Sequence, residues 1–481
     1  MKYSRIIALA LAAAVLSPAS ARSYKRGVSE NQFSLGAQME VLTPGVSWYY
    51  NWANTPGKGW QSEVINFEGY DFVPMVWNNR YNADAIREYV RSHPNVKYLL
   101  GFNEPNFTAQ SNMTPAVAAQ YWPEVVALAR ELGLKLVAPA MNYSPNAPYQ
   151  QPTKWFDEFV QLVGKDAFDF VAIHNYGGLG VMKTLATEFH ERYGKDVWVT
   201  EFCYWPNEGN ASSRVEPVVQ VASMVETVEW LEKTPWIYRY AWFKPIGRHE
   251  NTPTTGSPCY GLVITENGTG PRTLSPQGYV YVYMSEFNPD IWHAVAEEVP
   301  ATEYISQTLC QLWPGNNPQA PLPIEVSQFS AGATLDYQFD VPADGAYNLV
   351  LTVSGQGEPV RFDPCVGVSL VEGEDATVLV APAAFTLPGS DTEYVERTFS
   401  LNLKAGHQTL RLVDGNPYRP SGIHISSLRL VQADGIEDVV LTPEDDTDAD
   451  APTYTIDGRI VKAGSLAPGI YIRAGRKFIV R

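Results

Sequence analysis

The sequence predicts an α/β chain: a (β/α)8 TIM-type barrel followed by an all-β sandwich. Three observations carry this. Apolar, strand-like runs alternate with helix-patterned stretches from about residue 45 to 285, the order of a βα-repeat fold. After a Pro-rich stretch at 313–323 the helical period stops, and short, mostly alternating runs follow, separated by Gly, Pro and Asp turns. Two of the earlier runs end at glutamates, in Leu99-Leu100-Gly101-Phe102-Asn103-Glu104 and in Val197-Trp198-Val199-Thr200-Glu201. In a parallel barrel the C-terminal ends of the strands carry the chemistry.

The barrel strands read as Val46–Trp52, Phe72–Trp77, Tyr98–Phe102, Leu136–Met141, Phe168–His174, Val197–Glu201 and Ile237–Phe243. Helical patterns lie between them at Ala83–Ser92, Ala116–Leu132, Trp155–Leu162, Val181–Tyr193 and Glu216–Glu232. An eighth strand is expected between Trp52 and Phe72, where Val64-Ile65-Asn66-Phe67 is the candidate. The spacing there is tight, so this early βα unit is expected to be degenerate. The sandwich strands read as Leu335–Val341, Tyr347–Val353, Ala376–Val380, Glu393–Leu401 and Gln408–Leu412.

Domain boundaries follow: a leader at 1–21, the barrel at 24–312, a linker at 313–323, the sandwich at 324–432, an acidic spacer at 433–453 and a small β unit at 454–481. The leader has a basic start at Lys2 and Arg5, an apolar stretch from Ile6 to Leu16 and a small-residue site at Ala19-Ser20-Ala21. That is the pattern of a secretory signal, so export or display at the cell surface is expected. No apolar run is long enough to span a bilayer.

The chain has 481 residues, 45% hydrophobic and 18% charged, and a net charge of −17, which disfavours nucleic acid as a partner. No histidines and cysteines fall at ligand spacing, so neither a metal nor any other cofactor is expected. A monomer is expected. Cys203 and Cys259 could form one bridge or remain two buried thiols.

Two glutamates at two strand ends are the minimum equipment for cleaving a glycosidic bond, one as acid/base and one as nucleophile or base. Aromatics make up 12% of the chain, with 13 Trp, and aromatic faces suit pyranose rings. Trp48, Trp52, Trp77, Trp205 and Trp242 stand at strand ends or just after them. Trp48, Trp77 and Trp242 are expected to face a sugar, although alternation puts Trp48 and Trp52 on one strand face, so one of that pair could be core.

Counting back from Glu201, the strands ending at Glu201, His174, Asn142 and Glu104 are the seventh to the fourth. Glutamates at the ends of strands four and seven, with Asn103 before the first, resemble glycoside hydrolase clan A. The chain further resembles glycoside hydrolase family 128, endo-β-1,3-glucanases. The residues that carry this are Ser47-Trp48-Tyr49-Tyr50-Asn51-Trp52, Phe72-Val73-Pro74-Met75-Val76-Trp77, Gly101 to Asn106, His174-Asn175-Tyr176, Thr200-Glu201-Phe202, Tyr240-Ala241-Trp242-Phe243 and Leu274 to Tyr279. The resemblance implies a retaining hydrolase of β-1,3-glucan with Glu104 as acid/base and Glu201 as nucleophile. Asn103 would bind the 2-hydroxyl, Tyr176 would orient the nucleophile and His174 would join the polar network. Another β-glycan, such as a β-1,4-mannan or mixed-linkage glucan, is the nearest alternative, and a non-catalytic glycan-binding surface protein is a further one. The stretches Ala405 to Leu412 and Ile423 to Leu428 resemble closing strands of carbohydrate-binding modules related to families 6 and 35. The unit from Tyr454 resembles a sorting domain of the type IX secretion route.

Overall fold

The computed structural model describes residues 23–33, 37–57, 70–206, 215–248, 258–265, 272–355, 364–416, 422–433, 452–455, 459–461, 469–473 and 476–480. The leader, the Val64–Phe67 candidate strand and most of the acidic spacer lie outside the described residues. The first unit runs β1 (Arg26–Ser29), α1 (Ala37–Glu40), β2 (Trp48–Tyr50), β3 (Asp71–Phe72), α2 (Ala83–Ser92), β4 (Tyr98–Leu100), α3 (Pro115–Glu131), β5 (Lys135–Met141), α4 (Pro152–Val163), β6 (Phe170–Asn175), α5 (Leu179–Tyr193), β7 (Val197–Phe202), α6 (Pro217–Lys233) and β8 (Ile237–Phe243). All eight strands are parallel, in the order β3-β2-β1-β8-β7-β6-β5-β4. A parallel bridge between Met75 and Leu100 joins the two ends of that order, as in a closed TIM-type barrel. A short pair, β9 (Val263–Thr265) and β10 (Arg272–Leu274), then leads into α7 (Pro276–Tyr283).

The eighth strand of the described sheet is β1, which precedes the first expected strand. Its sequence, Arg26-Gly27-Val28-Ser29, lacks the apolar run usual in a strand buried on both faces. Burial is possible because Arg26 is fully provided with acceptors: the carbonyls of Tyr281 (3.0 Å), Met284 (2.9 Å) and Ser285 (2.7 Å), the Tyr240 hydroxyl (3.1 Å) and Glu232. Gly27 leaves room for the Trp48 indole, whose nearest atom would be 2.3 Å from an added Cβ. Helices α3 and α4 start one and three residues earlier than their apolar periodicity suggests, because proline opens both and, in α3, a threonine cap precedes it. Thr114 accepts from Val117 N at 3.2 Å, and Ser275 accepts from Gly278 N at 3.0 Å.

The second unit comprises β11 (His293–Ala294), β12 (Val299–Pro300), β13 (Ser306–Pro314), β14 (Ile324–Val341), β15 (Gly345–Gly355), β16 (Cys365–Glu372), β17 (Asp375–Ala384), β18 (Val395–Leu403), β19 (Gly406–Asp414) and β20 (Ile423–Gln432). The main path is β17-β16-β19-β14-β20-β15-β18. The long β14 serves both halves of the sandwich: Val326 pairs with Ile425 of β20, and Thr334 to Val341 pair with β19.

The stretch at 313–323 is not an interdomain linker. Pro314 pairs with Ile324 and Gly315 N donates to Pro323 O, so these prolines and asparagines turn a hairpin between β13 and β14. The sandwich therefore takes in residues from His293 on, ahead of the expected boundary, with β11 on β14 and β12 on β20. No disulfide joins the four cysteines, so Cys203 and Cys259 are buried thiols rather than a bridge. Near the end of the chain β21 (Thr453–Thr455), β22 (Ile460–Val461), β23 (Gly469–Arg473) and β24 (Arg476–Val480) form a small antiparallel sheet. No helix among the described residues is long and apolar enough to cross a membrane.

Candidate active site

The first carboxylate stands where β4 gives way to the loop above it. Asn103 still bridges to Ala140 of the neighbouring strand, and Glu104 N donates to Ala140 O at 3.0 Å. Glu104 itself has φ 42°, a left-handed conformation unusual for a side chain of this size. Such backbone persists only where the surroundings over-determine it, and it concentrates at functional sites. The second carboxylate, Glu201, lies within β7 near its C-terminal end. Both are buried, and both line one cleft of about 470 Å³ together with Asn31, Trp52, Trp77, Asn103, Phe107, Ala109, Gln110, Asn142, Tyr176, Phe243 and Lys244.

The two glutamates are held differently. Glu201 accepts hydrogen bonds from Trp52 Nε1 (2.7 Å) and the Tyr50 hydroxyl (3.1 Å) on Oε1, and from the Tyr176 hydroxyl on Oε2. Glu104 Oε1 accepts from Asn142 Nδ2 at 3.2 Å and lies 2.8 Å from His174 Nδ1. The His174 ring is wholly buried between them, its Nε2 3.4 Å from Glu201 Oε1. Burial pushes the Glu201 carboxyl above its ordinary pKa. The His174 ring pulls it back, the Glu104 charge raises it further, and the bonds from Tyr176 and Trp52 lower it. Tyr50 and Tyr176 are raised well above the ordinary tyrosine value, first by burial and then by the Glu201 charge, so both remain O–H donors.

Among the residues singled out from the sequence, Glu104, Glu201, Asn103, Trp77 and Tyr176 meet in the cleft, with His174 beneath them. Trp48 does not. It packs inside the barrel with Val73, Val137 and Trp198 and is not among the residues that line the cleft. There its indole donates to Lys25 O (2.9 Å) and packs edge-on against Trp198 (5.1 Å). Trp242 is also excluded, because it faces outward. It is 1% exposed, packs against Phe202 and Tyr281, and donates to Tyr260 O. Alternation presents its neighbour Phe243 to the cleft instead.

Tyr50, Asn142, Phe243, Lys244, Asn31, Phe107 and Gln110 are additions made by the structure, while Trp52, weighed against Trp48 in the sequence, is the member of that pair that lines the cleft. The even spacing of Trp48, Tyr50 and Trp52 was a signal for Tyr50 as well, whose hydroxyl reaches Glu201. Asn31 follows β1, a strand the sequence pattern conceals, and Lys244 pairs with Glu30 of the same segment at 3.3 Å. Among the described residues no group of three or more His, Cys, Asp or Glu side chains is arranged to hold a metal ion.

Among solved structures, the chain is similar to an endo-β-1,3-glucanase of glycoside hydrolase family 128, subgroup II, from Pseudomonas viridiflava (33% identity, 54% of this chain and 98% of that one, TM-score 0.47). It is similar to a subgroup II endo-β-1,3-glucanase from Sorangium cellulosum (31% identity, 54% and 97%, TM-score 0.45). A curdlan-specific exo-β-1,3-glucanase of subgroup III from Blastomyces gilchristii is more distant (27% identity, 48% and 94%, TM-score 0.38). Among curated proteins it is 26% identical over 215 residues to alkali-sensitive linkage protein 1 of Schizosaccharomyces pombe (strain 972 / ATCC 24843). That match spans 44% of this chain and 37% of the relative's length. The family profile described as "Glycosyl hydrolase catalytic core" matches residues 27–276, from β1 to the start of α7, a span that contains every residue of the cleft. The chain belongs to the glycosyl hydrolase catalytic core family.

Proposed function

We propose that this cleft hydrolyses internal β-1,3-glucosidic bonds of a glucan by double displacement, with Glu201 as nucleophile and Glu104 as acid/base. The observation that carries the assignment is the asymmetry of the hydrogen bonds. Glu201 receives three donors, from Tyr50, Trp52 and Tyr176, which favour an ionised carboxylate over a protonated one. Glu104 has fewer fixed donors and stands at a strand end facing the open cleft.

In the first step Glu104 gives its proton to the glycosidic oxygen as the bond to the anomeric carbon breaks. Glu201 forms a bond to that carbon, giving a glycosyl-enzyme. In the second, Glu104 takes a proton from water, the water oxygen bonds to the anomeric carbon, and Glu201 leaves as carboxylate. Asn103 donates weakly to Gln110 Oε1, at 3.3 Å, so a sugar 2-hydroxyl is a ready replacement acceptor. Trp52, Trp77, Phe107 and Phe243 supply apolar faces for pyranose rings.

The β-1,3 linkage and the internal mode of cleavage rest on the ordered motifs from Ser47 to Tyr279. Export of the enzyme, its action as a monomer, carbohydrate binding by the sandwich and a sorting role for the terminal sheet belong to the same proposal. A reducing-sugar assay with laminarin and curdlan tests it, with β-1,4-mannan and mixed-linkage glucan as controls. Release from the β-1,3-glucans, falling at least 10³-fold in Glu104→Gln and in Glu201→Gln, is expected, on the order of what loss of an acid or nucleophile costs. Release only from a control substrate would transfer the reading to another β-glycan. Release from none would leave a glycan-binding protein.

A further inference from the structure

Trp52 stands out because three separate features of it converge on Glu201. Its backbone is left-handed, with φ 58°, a conformation that bulky side chains rarely adopt. Its indole N–H donates to Glu201 Oε1 at 2.7 Å. Its ring forms part of the cleft wall, set edge-on between Tyr50 (centroids 5.3 Å) and Phe243 (5.9 Å). The left-handed backbone and the bond to Glu201 thus occur at the same residue.

We propose that Trp52 is a positioning residue that fixes the attacking carboxylate and adjusts its affinity for protons while its ring bounds the sugar site. The proposal rests on Glu201 being the nucleophile. A hydrogen bond from a neutral donor to a carboxylate favours the ionised form. Tyr50 shares the same oxygen but also lies 3.1 Å from Thr200 O, so its single proton is divided between two acceptors. Among the described residues the Trp52 N–H donates to Glu201 Oε1 alone. A pyranose lying against the indole also keeps water from the N–H to Oε1 bond, so the restraint is strongest when substrate is present.

The test compares Trp52→Phe, which keeps a ring and removes the N–H, with Trp52→Ala, which removes both. For Trp52→Phe, kcat is expected to fall about 10- to 100-fold, the range for a hydrogen bond to a charged group, with KM within threefold of wild type. The acidic limb of the kcat/KM pH profile is expected to move up by about half a unit or more. For Trp52→Ala, KM is expected to rise as well. An unchanged acidic limb with kcat within twofold of wild type in Trp52→Phe overturns the proposal. So does a rise in KM alone.

A measurement on the unaltered chain covers the case in which the variants fail to fold. With ¹⁵N-labelled tryptophan, one indole N–H resonance should titrate with the midpoint of that acidic limb, and should stop titrating in Glu201→Gln. If no indole resonance titrates, the proposal fails. If Glu201→Gln keeps wild-type turnover, the nucleophile assignment fails and this proposal with it. If Glu201→Gln is inactive while Trp52→Phe behaves as wild type, this proposal alone fails.

Discussion

Glu201, the nucleophile we propose, is buried and also held by donors that favour its charge, and the two oppose each other. Its carboxyl is raised by burial first, so the folded state binds a proton more readily than the unfolded chain. The contribution to stability is therefore least unfavourable below the ordinary glutamate value of about 4.3 and worsens as pH rises through the window above it. Glu201→Gln keeps the size and one acceptor oxygen and removes this penalty. It is expected to melt above wild type at pH 7 and level with it at pH 4, checked by scanning calorimetry at both values. Lys244, held against Glu30 and lining the cleft, makes a different prediction. Lys244→Met should raise KM for a laminari-oligosaccharide roughly three- to tenfold, the worth of about one hydrogen bond, with kcat within twofold of wild type. At this scale the sequence was informative about polar residues and less so about aromatic ones. A glutamate after an apolar run, preceded by Asn103 and followed by Pro105, can be placed without coordinates. Which tryptophan reaches the cleft depends on depth along the strand for Trp48 and on strand parity for Trp242, and a one-residue error in parity turns a side chain to the other face.

At the level of elements, most of the barrel was legible because its strands are apolar and its helices periodic. β1 was not, because a buried strand containing an arginine is stable only through partners distant in sequence, the carbonyls at the end of α7. The same limitation concealed Asn31 and its neighbour Glu30. Gly27 in β1 gives a direct check on how tightly this strand is seated. An alanine there places a Cβ 2.3 Å from the Trp48 ring, which is itself wedged against Trp198, so neither can give way freely. Gly27→Ala is expected to cost about 1–3 kcal/mol, the usual range for overpacking, read as a lower urea midpoint. A neutral result would mean that β1 is loosely docked.

Over the whole molecule, barrel and sandwich share one apolar core rather than meeting through a flexible joint. Buried residues of α6 and α7, such as Leu231 and Val280, belong to the same cluster as Leu312, Phe329 and Tyr337 of the sandwich. Gln311 of β13 reaches the carbonyl of Val218 on α6. The turn-rich hairpin at 313–323 resembles a linker in composition because turns and linkers use the same residues. A fragment ending at residue 312 would retain β13 without its partner β14. Such a fragment is therefore expected to melt well below the full chain or to aggregate, while the full chain unfolds in a single transition. Two separate transitions in calorimetry would contradict a shared core. The junction also carries a pH dependence. Glu286 is pushed up to about 7 by burial, and by Glu232 in its vicinity, against the pull of Arg26. Stability from this group is retained below about pH 4.3 and lost as pH rises towards 7. Glu286→Gln should flatten the decline in Tm between pH 5 and pH 8.

The central claim, hydrolysis with Glu201 forming a bond to the sugar, is tested most directly by the configuration of the first product. Wild-type enzyme is mixed with a laminari-oligosaccharide in deuterated buffer, and the new anomeric proton is followed by NMR before mutarotation. Double displacement inverts the anomeric carbon twice, so the β-anomer is predicted to appear first and the α-anomer only later, at the mutarotation rate. Initial appearance of the α-anomer would show a single displacement by water and would contradict the assignment of Glu201 as nucleophile.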